Sequence, residues 1–324
     1  MLLRYSILIL FWVGIEWLYF KIARYYAIVD KPNARSSHHL VTIRGGGIIF
    51  PIAILVGIFN EQPIKWLLIL ALLLISVLSF IDDIRNLDSK LRLLLQSIAV
   101  ASMLYLFSAQ FSMMGIILLF ILITGVINAY NFMDGINGIT VLYSIVTLGS
   151  MYWVKQIVPS VLSDQLFIAL SSSLLVFGFF NVRKKAACFS GDVGSVSLAF
   201  IFCFLLLKIT ISTNFSWWIL FLGIYGIDSV FTITCRIFRK EPLMQAHRSH
   251  FYQYLANEAG WTHIQVSLLF AVAQLILNMF VVYSFTSKQI WLALIPLFAF
   301  LTIYIIFRLR FEGAQRLFVR YTTG

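Results

Sequence analysis

Acidic residues are scarce in this sequence: 13 Asp and Glu residues stand among 324, and charged residues of both signs make up 11%. A soluble domain carries about 25% charged residues, and 61% of this chain is hydrophobic, so an ordinary soluble domain is excluded. The three cysteines are odd in number and have neither zinc-ligand spacing nor a disulfide pattern. No repeat or low-complexity tract interrupts the chain, so we predict one membrane domain over residues 1–324.

Long apolar runs fill most of the chain. A helix spans the hydrocarbon core with about 17–25 apolar residues, and the absence of an alternating barrel pattern leaves helices as the spanning form. We therefore predict an all-α polytopic membrane protein with about eleven transmembrane helices. The second predicted span is the shortest. The spans fall near residues 2–23, 47–60, 64–81, 93–110, 112–130, 138–154, 165–182, 194–211, 215–235, 264–285 and 289–307.

Lys and Arg residues concentrate on alternate connections between the spans. If the loop at 24–46 is cytoplasmic, 19 of the 24 Lys and Arg residues lie on the cytoplasmic side. The positive-inside rule then places the N-terminus outside and the C-terminus in the cytoplasm. The net charge of +11 indicates topology and contact with anionic membrane lipids, and we expect no nucleic-acid partner. Nearly all polar clusters lie in cytoplasmic loops, which we predict to form one active face: 24–46, 82–92, 183–193 and 236–263.

Asp82 and Asp83 close an apolar run and open a short basic loop. Charges at membrane depth are costly and tend to be functional. Adjacent carboxylates ionise together only when cations lie near, and Arg85, Lys90 and Arg92 follow, while a divalent metal would serve as well. The alternative is a helix-end cap with solvated carboxylates.

Four polar residues recur at every third position: Asn128, Asn131, Asp134 and Asn137. Residues three apart are neighbours on a helix, so we predict a polar stripe that faces a cavity. Gly135 and Gly138 would let a ligand approach the backbone. The alternative is a polar packing seam between helices.

Asp192 lies between Gly191 and Gly194 at the start of the eighth span, after a basic loop. A carboxylate at a helix start can be a simple cap. The glycines and basic neighbours equally suit a phosphate and Mg²⁺ site. Farther on, His247 and His250 flank Arg248 without a third zinc ligand or an HExxH pattern. We predict that they contact phosphate or diphosphate, and the alternative is a solvated loop.

The loop that contains Lys31, Arg35 and Arg44 supplies cations and then three glycines that enter a helix. Backbone amides at such an entry can bind anions, and the alternative is a positive-inside anchor with a flexible hinge. Asp228 lies inside the ninth span, where we expect it to pair with a cation from the basic face.

At these residues, from about 30 to 255, the chain resembles the polyprenyl-phosphate N-acetylhexosamine-1-phosphate transferase superfamily, glycosyltransferase family 4. The O-antigen-initiating branch is the most similar, through the motifs that contain Arg35, Arg44 and His247. One departure is that Val41 and Ile43 stand where that branch usually has prolines. The superfamily's motifs occur in its order: Asp82-Asp83, Asn128-x-x-Asn131-Phe-Met-Asp134-Gly135-x-Asn137-Gly138, Gly191-Asp192-x-Gly194-Ser195 and His247-Arg-Ser-His250.

The resemblance implies a reaction in the bacterial inner membrane. Undecaprenyl phosphate would attack the sugar-proximal phosphorus of a UDP-N-acetylamino sugar of the GlcNAc, FucNAc or QuiNAc type. The products would be UMP and the lipid-linked sugar that initiates O-antigen or a related polysaccharide. The resemblance also implies a Mg²⁺ cofactor, with Mn²⁺ as a substitute, and a possible homodimer.

The resemblance also implies roles for single residues. Asp192 would be the principal Mg²⁺ ligand, and Asp82 and Asp83 would lie near the metal or the lipid phosphate. Phe189 would stack on uracil. The implied catalytic set is Asp82, Asp83, Asp192, His247 and His250, the metal set is Asp192 and Asp83, and the nucleotide and sugar-phosphate set is Asn128, Asn131, Asp134, Asn137, Phe189, Lys31, Arg35, Arg44 and Arg248.

Two other classes of protein compete with the transferase. A secondary transporter of an anionic substrate also gathers charges within many spans, but it places its site near the midplane, often between paired repeats. Here the carboxylates lie at helix ends and no repeat is visible. A scaffold in an envelope complex would make no use of the four motifs.

Overall fold

Thirteen α-helices account for most of the part of the chain that the computed structural model describes, residues 2–32, 37, 40–59, 65–85, 87–159, 162–242 and 247–319. Short 3₁₀ turns at Gly46–Ile48, Ser108–Gln110 and Ser216–Leu222 complete the helical structure of these ranges. The α-helices are α1 (Leu2–Tyr25), α2 (Ile49–Phe59), α3 (Trp66–Ile84), α4 (Ser89–Tyr105), α5 (Met113–Phe132), α6 (Ile139–Ile157), α7 (Asp164–Asn181), α8 (Gly191–Thr213), α9 (Gly223–Phe238), α10 (Phe251–Asn257), α11 (His263–Ser287), α12 (Trp291–Glu312) and α13 (Ala314–Phe318).

The predicted fold class is confirmed: the protein is an all-α multi-pass membrane protein. Each predicted span coincides with a helix of the structure. Within the described ranges, eight helices are long and apolar enough to cross a membrane. The other three predicted spans correspond to α2, with 11 residues, α4, with 17, and α6, which has 19 residues but carries a polar face with Ser144, Thr147 and Ser150.

Helix starts follow local capping rules in several places. The side chains of Asp88, Ser112 and Ser163 accept hydrogen bonds from first-turn amides of α4, α5 and α7, as expected for N-cap residues. Thr262 and Gln265 form a reciprocal capping box at α11. The helices α4, α5, α7 and α11 therefore begin where the sequence supplies a side-chain acceptor.

The central helix of the bundle is α8, since 83% of its most apolar stretch is buried, against 17% for α5 and α12 at the periphery. It packs against α2, α3 and α5, and α4 lies against α3 and α5. A second group, α1, α2 and α7, covers another side, and α6, α11 and α12 pack in series on the third.

A small sheet lies at the end of the bundle where α8 begins. Strands β1 (Val29–Asp30) and β2 (Thr42–Ile43) pair antiparallel, and Ile43 forms a parallel bridge to Cys188. This pairing brings the glycine loop after Ile43 against the segment that precedes α8. The three cysteines, Cys188, Cys203 and Cys235, are buried and free.

Candidate active site

Three carboxylates meet at one end of the bundle, where α3 ends and α8 begins. Asp82 and Asp83 lie in the last turn of α3, and Asp192 lies in the first turn of α8. The carboxylates of Asp82 and Asp192 lie close together, because Arg92 Nη1 contacts both of them. Because α8 is the central helix of the bundle, the site lies at one end of the protein core.

Asp83 caps the N-terminus of α8 from a different helix. Its Oδ1 accepts the backbone N–H of Asp192 at 2.8 Å, and its Oδ2 accepts that of Val193 at 3.0 Å. Ser190, at the local N-cap position, makes no capping bond. Gly191 has φ +69°, and a side chain there would collide with the Asp83 carboxylate. Asp83 therefore fixes the start of α8 and the position of Asp192.

Two arginines bridge the three carboxylates. Arg44 donates from Nε to Asp83 at 2.7 Å and from Nη2 to Asp192 at 3.2 Å. Arg92 Nη1 donates to Asp82 at 3.1 Å and to Asp192 at 3.5 Å. Burial alone would lower the pKa of Arg44, but the charges of Asp83 and Asp192 raise it above its ordinary value. Both cations remain about one-third exposed, at 28% and 33%, so an anionic substrate can reach them.

An amide and a hydroxyl support the outer side of Asp192. Asn131 Nδ2 donates to Asp192 Oδ2 at 3.3 Å, and Ser195 donates to Asn131 Oδ1 at 2.8 Å. Asn128 lies one turn earlier on α5 and donates to Gln96 at 3.3 Å. Asn128, Asn131 and Arg92 line a cavity of about 10 Å³, which is about the size that one water occupies.

The predicted stripe of four polar residues on one helix is wrong in its second half. The helix α5 ends at Phe132, so only Asn128 and Asn131 share its face. The chain turns because Gly138 adopts φ +87°, a conformation that favours glycine. Asp134 and Asn137 therefore lie in the α5–α6 connection.

Asp134 joins the acidic site through the residue before Gly191. The hydroxyl of Ser190 donates to Asp134 Oδ2, and Thr140 Oγ1 donates to Oδ1 at 2.5 Å. Burial raises the pKa of Asp134 to about 6, although these two hydroxyls lower it in part. The pKa of Asp134 therefore lies closer to neutral pH than that of an ordinary aspartate.

The glycine loop serves packing instead of the predicted anion cradle. The amide of Gly46 donates to Phe189 O at 2.8 Å, and that of Gly47 donates to Ser190 O at 3.0 Å, so both amides are occupied by the chain. A Cβ added to Gly47 would lie 2.5 Å from Cα of Gly194. The glycines are needed because the two backbones touch, and this contact holds Arg44 beside Asp192.

A second polar network contains the two predicted histidines. Arg236 Nη1 lies 2.8 Å from His247 Nδ1, the two histidine Nε2 atoms are 3.1 Å apart, and His250 Nδ1 lies 2.8 Å from Asp228 Oδ1. Arginine can only donate and a carboxylate accepts. Thus His247 donates from Nε2 to His250, and His250 donates from Nδ1 to Asp228.

Asp228 was expected to pair with a cation from the basic face, and in the structure its partner is His250. It also accepts the backbone N–H of Phe251 at 3.1 Å and of Tyr252 at 3.4 Å, at the start of α10. Asp228 therefore orients His250 and the helix that follows it.

The two networks meet at the C-terminal end of α5. The ring of Phe132 packs edge-on against His247, with centroids 5.6 Å apart, and Tyr252 donates to Phe132 O at 2.8 Å. Asn131, which contacts Asp192, is the preceding residue. The histidines therefore lie on the same end of the bundle as the carboxylates.

Other predicted site residues lie outside these two networks. Asn137 is buried, and its Nδ2 donates to the carbonyls of Arg183 at 2.8 Å and Lys184 at 3.3 Å. Its Oδ1 is buried without a hydrogen-bond partner. Phe189 is partly exposed in the segment before α8, Lys31 is exposed, Arg248 is partly exposed, and Arg35 lies outside the described residues.

Several side chains of the site were missed as site residues. Arg92 was visible only as one of three cations after Asp83, and its distance from Asp192 in sequence hid their contact. Ser190 and Thr140 carried no signal, because single hydroxyls are common at helix ends, and Ser195 was noted only as the last residue of the Gly191-Asp192-x-Gly194-Ser195 motif. Their roles depend on which helices are neighbours.

The oxygen donors of this site fit a hard divalent cation. Asp192 is contacted by the side chains of Arg44, Arg92 and Asn131, which can rotate away. The neighbouring Asp82 carboxylate would be stabilised by a cation between the two. Asp83 fits less well, because two of its hydrogen bonds come from the backbone. The described residues contain no cluster of three or more His, Cys, Asp or Glu side chains that could hold a metal ion.

The fold and the site together define a multi-pass membrane protein that gathers carboxylates, guanidinium groups and histidines at one end of its bundle. Comparison with known proteins shows which proteins the chain is similar to. The model of glycosyl transferase family 4 matches residues 65–210, from α3 to α8.

Three relatives extend the match over most of the chain. The probable undecaprenyl-phosphate N-acetylglucosaminyl 1-phosphate transferase of Bacillus subtilis (strain 168) is 28% identical over 308 residues, which covers 86% of this chain and 83% of the relative. The undecaprenyl-phosphate alpha-N-acetylglucosaminyl 1-phosphate transferase of Yersinia pestis is 26% identical, with 80% and 77% covered. The phospho-N-acetylmuramoyl-pentapeptide-transferase of Lactobacillus acidophilus is 26% identical, with 71% and 80% covered. The matched model and these relatives support the polyprenyl-phosphate N-acetylhexosamine-1-phosphate transferase superfamily, which the motifs of the sequence resemble.

Proposed function

We propose that this protein transfers a 2-acetamido sugar 1-phosphate from a UDP-N-acetylamino sugar to undecaprenyl phosphate and releases UMP. The observation that carries this proposal is the convergence of Asp82, Asp83 and Asp192 with Arg44 and Arg92 at one end of the bundle. Carboxylates and cations in one partly exposed cluster suit a substrate with several phosphates. The family and its relatives support the same chemistry.

The reaction exchanges one phosphorus–oxygen bond for another. An oxygen of the lipid phosphate bonds to the sugar-proximal phosphorus, and the bond from this phosphorus to the bridging oxygen breaks, so UMP leaves. Phosphoryl transfer depends mainly on positioning and charge neutralisation. The lipid phosphate is already ionised at neutral pH, so a general base is not required. Asp82 then serves to hold Arg92 toward the attacking phosphate.

Arg44 and Arg92 bind the phosphates of the two substrates. Guanidinium groups match phosphate oxygens with two parallel N–H donors, and each of these arginines is already aimed by an aspartate. A bound diphosphate would draw both cations from Asp192. The freed carboxylate would then be available to a metal.

Asp192 is the principal ligand for Mg²⁺, with Asp82 as its neighbour and Mn²⁺ as a substitute. When bound, Mg²⁺ neutralises developing charge on the phosphate oxygens, and it commonly takes one or two carboxylates together with substrate oxygens. Asp83, which the family resemblance also places near the metal, holds Asp192 in position through the backbone of α8.

His247 and His250 bind the sugar-phosphate side of the donor. A phosphate oxygen can take over the Nε2–H of His247, which in the structure points at His250. The Nε2 of His250 then accepts a hydrogen bond from a hydroxyl or acetamido N–H of the sugar. Asp228 continues to hold the opposite nitrogen of His250, so the ring keeps its orientation.

The product initiates O-antigen or a related cell-envelope polysaccharide, and the active end of the bundle faces the cytoplasm of a bacterial inner membrane. The donor is a sugar of the GlcNAc, FucNAc or QuiNAc type. Two relatives named for N-acetylglucosaminyl transfer make GlcNAc the first donor to test.

Purified protein in detergent, supplied with undecaprenyl phosphate, Mg²⁺ and a panel of UDP-sugars, provides the test. We expect UMP release with at least one UDP-N-acetylamino sugar, its loss with EDTA, and its recovery when Mg²⁺ is restored. Omission of the lipid phosphate controls for simple hydrolysis. Folded protein that releases no UMP with any donor of the panel would refute the proposal.

A further inference from the structure

Arg308 is a buried cation in a helix that otherwise faces outward. Only 17% of the most apolar stretch of α12 is buried, yet Arg308 itself is 1% exposed. Burying a guanidinium group at a membrane-spanning helix is costly. Its Nε pairs with Glu312 Oε1 at 2.5 Å, one turn later on the same helix, so a local ion pair offsets part of that cost.

The other two guanidinium nitrogens of Arg308 contact α12 itself, Nη1 at Tyr304 OH (2.9 Å) and Nη2 at Glu312 Oε2 (3.3 Å), and each also makes a contact near the histidines. Nη2 donates to the backbone carbonyl of Ser249 at 3.0 Å, and Ser249 immediately precedes His250. Arg239 Nη2 donates to the hydroxyl of the same serine at 3.3 Å. Arg308 of α12 and Arg239, the residue that follows α9, therefore both hold Ser249, immediately before His250.

A second branch connects Arg308 to the other side of His250. Its Nη1 donates to Thr232 Oγ1 at 3.3 Å, and Thr232 donates to Asp228 Oδ1 at 3.2 Å. This oxygen also accepts the Nδ1–H of His250. Arg308 therefore reaches His250 through the backbone before it and through the carboxylate that orients its ring.

We propose that Arg308 is a positioning residue, through which α12 sets the orientation of His250 and His247 at the active end of the bundle. This inference rests on the proposed function, because it assigns to α12 a part in binding the sugar-phosphate. An ion pair with Glu312 alone would stabilise the helix without any contact to Ser249 or Thr232. The guanidinium group contacts Ser249 through Nη2 and Thr232 through Nη1. This pair of contacts accounts for an arginine at this position.

The first variant is Arg308→Lys, which keeps the charge but cannot make both branches at once. The second is Arg308→Gln. Loss of Arg308 leaves the buried Glu312 with only the longer contact to Arg316, at 3.6 Å. The double variant Arg308→Met/Glu312→Met therefore removes both charges, a change that buried ion pairs often tolerate. The matched control is Arg310→Gln, which removes the same charge from an exposed position on the same helix.

One measurement does not depend on activity: the rate at which diethyl pyrocarbonate modifies each histidine, followed by residue-resolved mass spectrometry. His250 is 2% exposed, so it should react slowly in the wild-type protein. We expect its modification to become several-fold faster in Arg308→Gln and in the double variant. His263 in α11 is the internal reference, and Arg310→Gln should match the wild type.

The second measurement is steady-state kinetics of UMP release. Displacing groups that position a substrate costs about 10- to 100-fold in rate, so we expect kcat to fall by that factor in Arg308→Gln. The KM for the nucleotide sugar should change less, and Arg308→Lys should recover part of kcat. Folded variants that keep both the wild-type kcat and the slow modification of His250 would overturn the proposal. If the wild type releases no UMP, the proposed function fails, while histidine modification still decides whether Arg308 positions His250.

Discussion

The carboxylate of Asp83 accepts a hydrogen bond from the backbone N–H of Asp192 at 2.8 Å. The end of one membrane helix thus holds the start of the central helix, although the two residues are far apart in sequence. Arg44 contacts both carboxylates. The two aspartates differ in role, because Asp83 bonds to the backbone and Asp192 bonds to side chains that can move.

Asp192→Asn should nearly abolish transfer while the protein remains folded. Removing the charge of a metal ligand costs several kcal/mol of transition-state stabilisation, so we expect UMP release to fall by several orders of magnitude. Asp164→Asn makes the same chemical change at an exposed residue in the first turn of α7 and should keep wild-type turnover. Unchanged turnover in Asp192→Asn would refute its assigned role.

Asp83→Asn should destabilise the protein more than Asp192→Asn does. The amide group of asparagine would place a donor against one of the two backbone N–H groups that the carboxylate accepts. A buried donor left without an acceptor costs about 1–3 kcal/mol. Thermal unfolding of the two variants in the same detergent measures the difference, and the reverse order of stability would contradict the capping role of Asp83.

Gly47→Ala should reduce both stability and activity. The added Cβ would lie 2.5 Å from Cα of Gly194 and 2.7 Å from Ser190 O, so the loop must move away from α8 and carry Arg44 with it. Overpacking of this kind costs about 1–3 kcal/mol.

The matched control for this substitution is Gly149→Ala, in the interior of α6. Nothing lies within 4 Å of a Cβ added at Gly149, and alanine is favoured over glycine in a helix by about 1 kcal/mol. We expect this variant to be as stable as the wild type or more so. Equal effects of the two alanines on unfolding temperature and UMP release would rule out the backbone contact as their cause.

Asp134→Asn should change the pH dependence of stability. The folded-state pKa of Asp134 is about 6, above its ordinary value of 3.8. A raised pKa contributes stability that is fully present below pH 3.8 and is lost as the pH rises through 6. Asparagine does not titrate, so its stability relative to the wild type should increase from pH 4 to pH 7 and then level off.

The size of this effect is roughly 2–3 kcal/mol, since each pKa unit corresponds to about 1.4 kcal/mol. Unfolding temperatures of both proteins, measured in one detergent at several pH values, give the difference directly. A constant difference across this range would show that Asp134 does not titrate as its surroundings indicate.

The sequence by itself determined the fold class and several candidate site residues. Long apolar runs leave helices as the spanning form, because every backbone polar group in lipid must find a partner within the chain. Rare charges at the ends of such runs are costly unless they are used, and for this reason Asp82, Asp83 and Asp192 could be selected from their positions in the chain alone.

Only the tertiary structure decided which of these groups touch and what each one does. That Asp83 caps α8, that Arg92 reaches Asp192 and that Arg308 reaches Ser249 depend on which helices are neighbours. The amides of Gly46 and Gly47, expected to bind anions, are taken by a chain segment more than a hundred residues away. Periodicity and local spacing report on one helix at a time, whereas a site at the ends of several helices is set by how they pack.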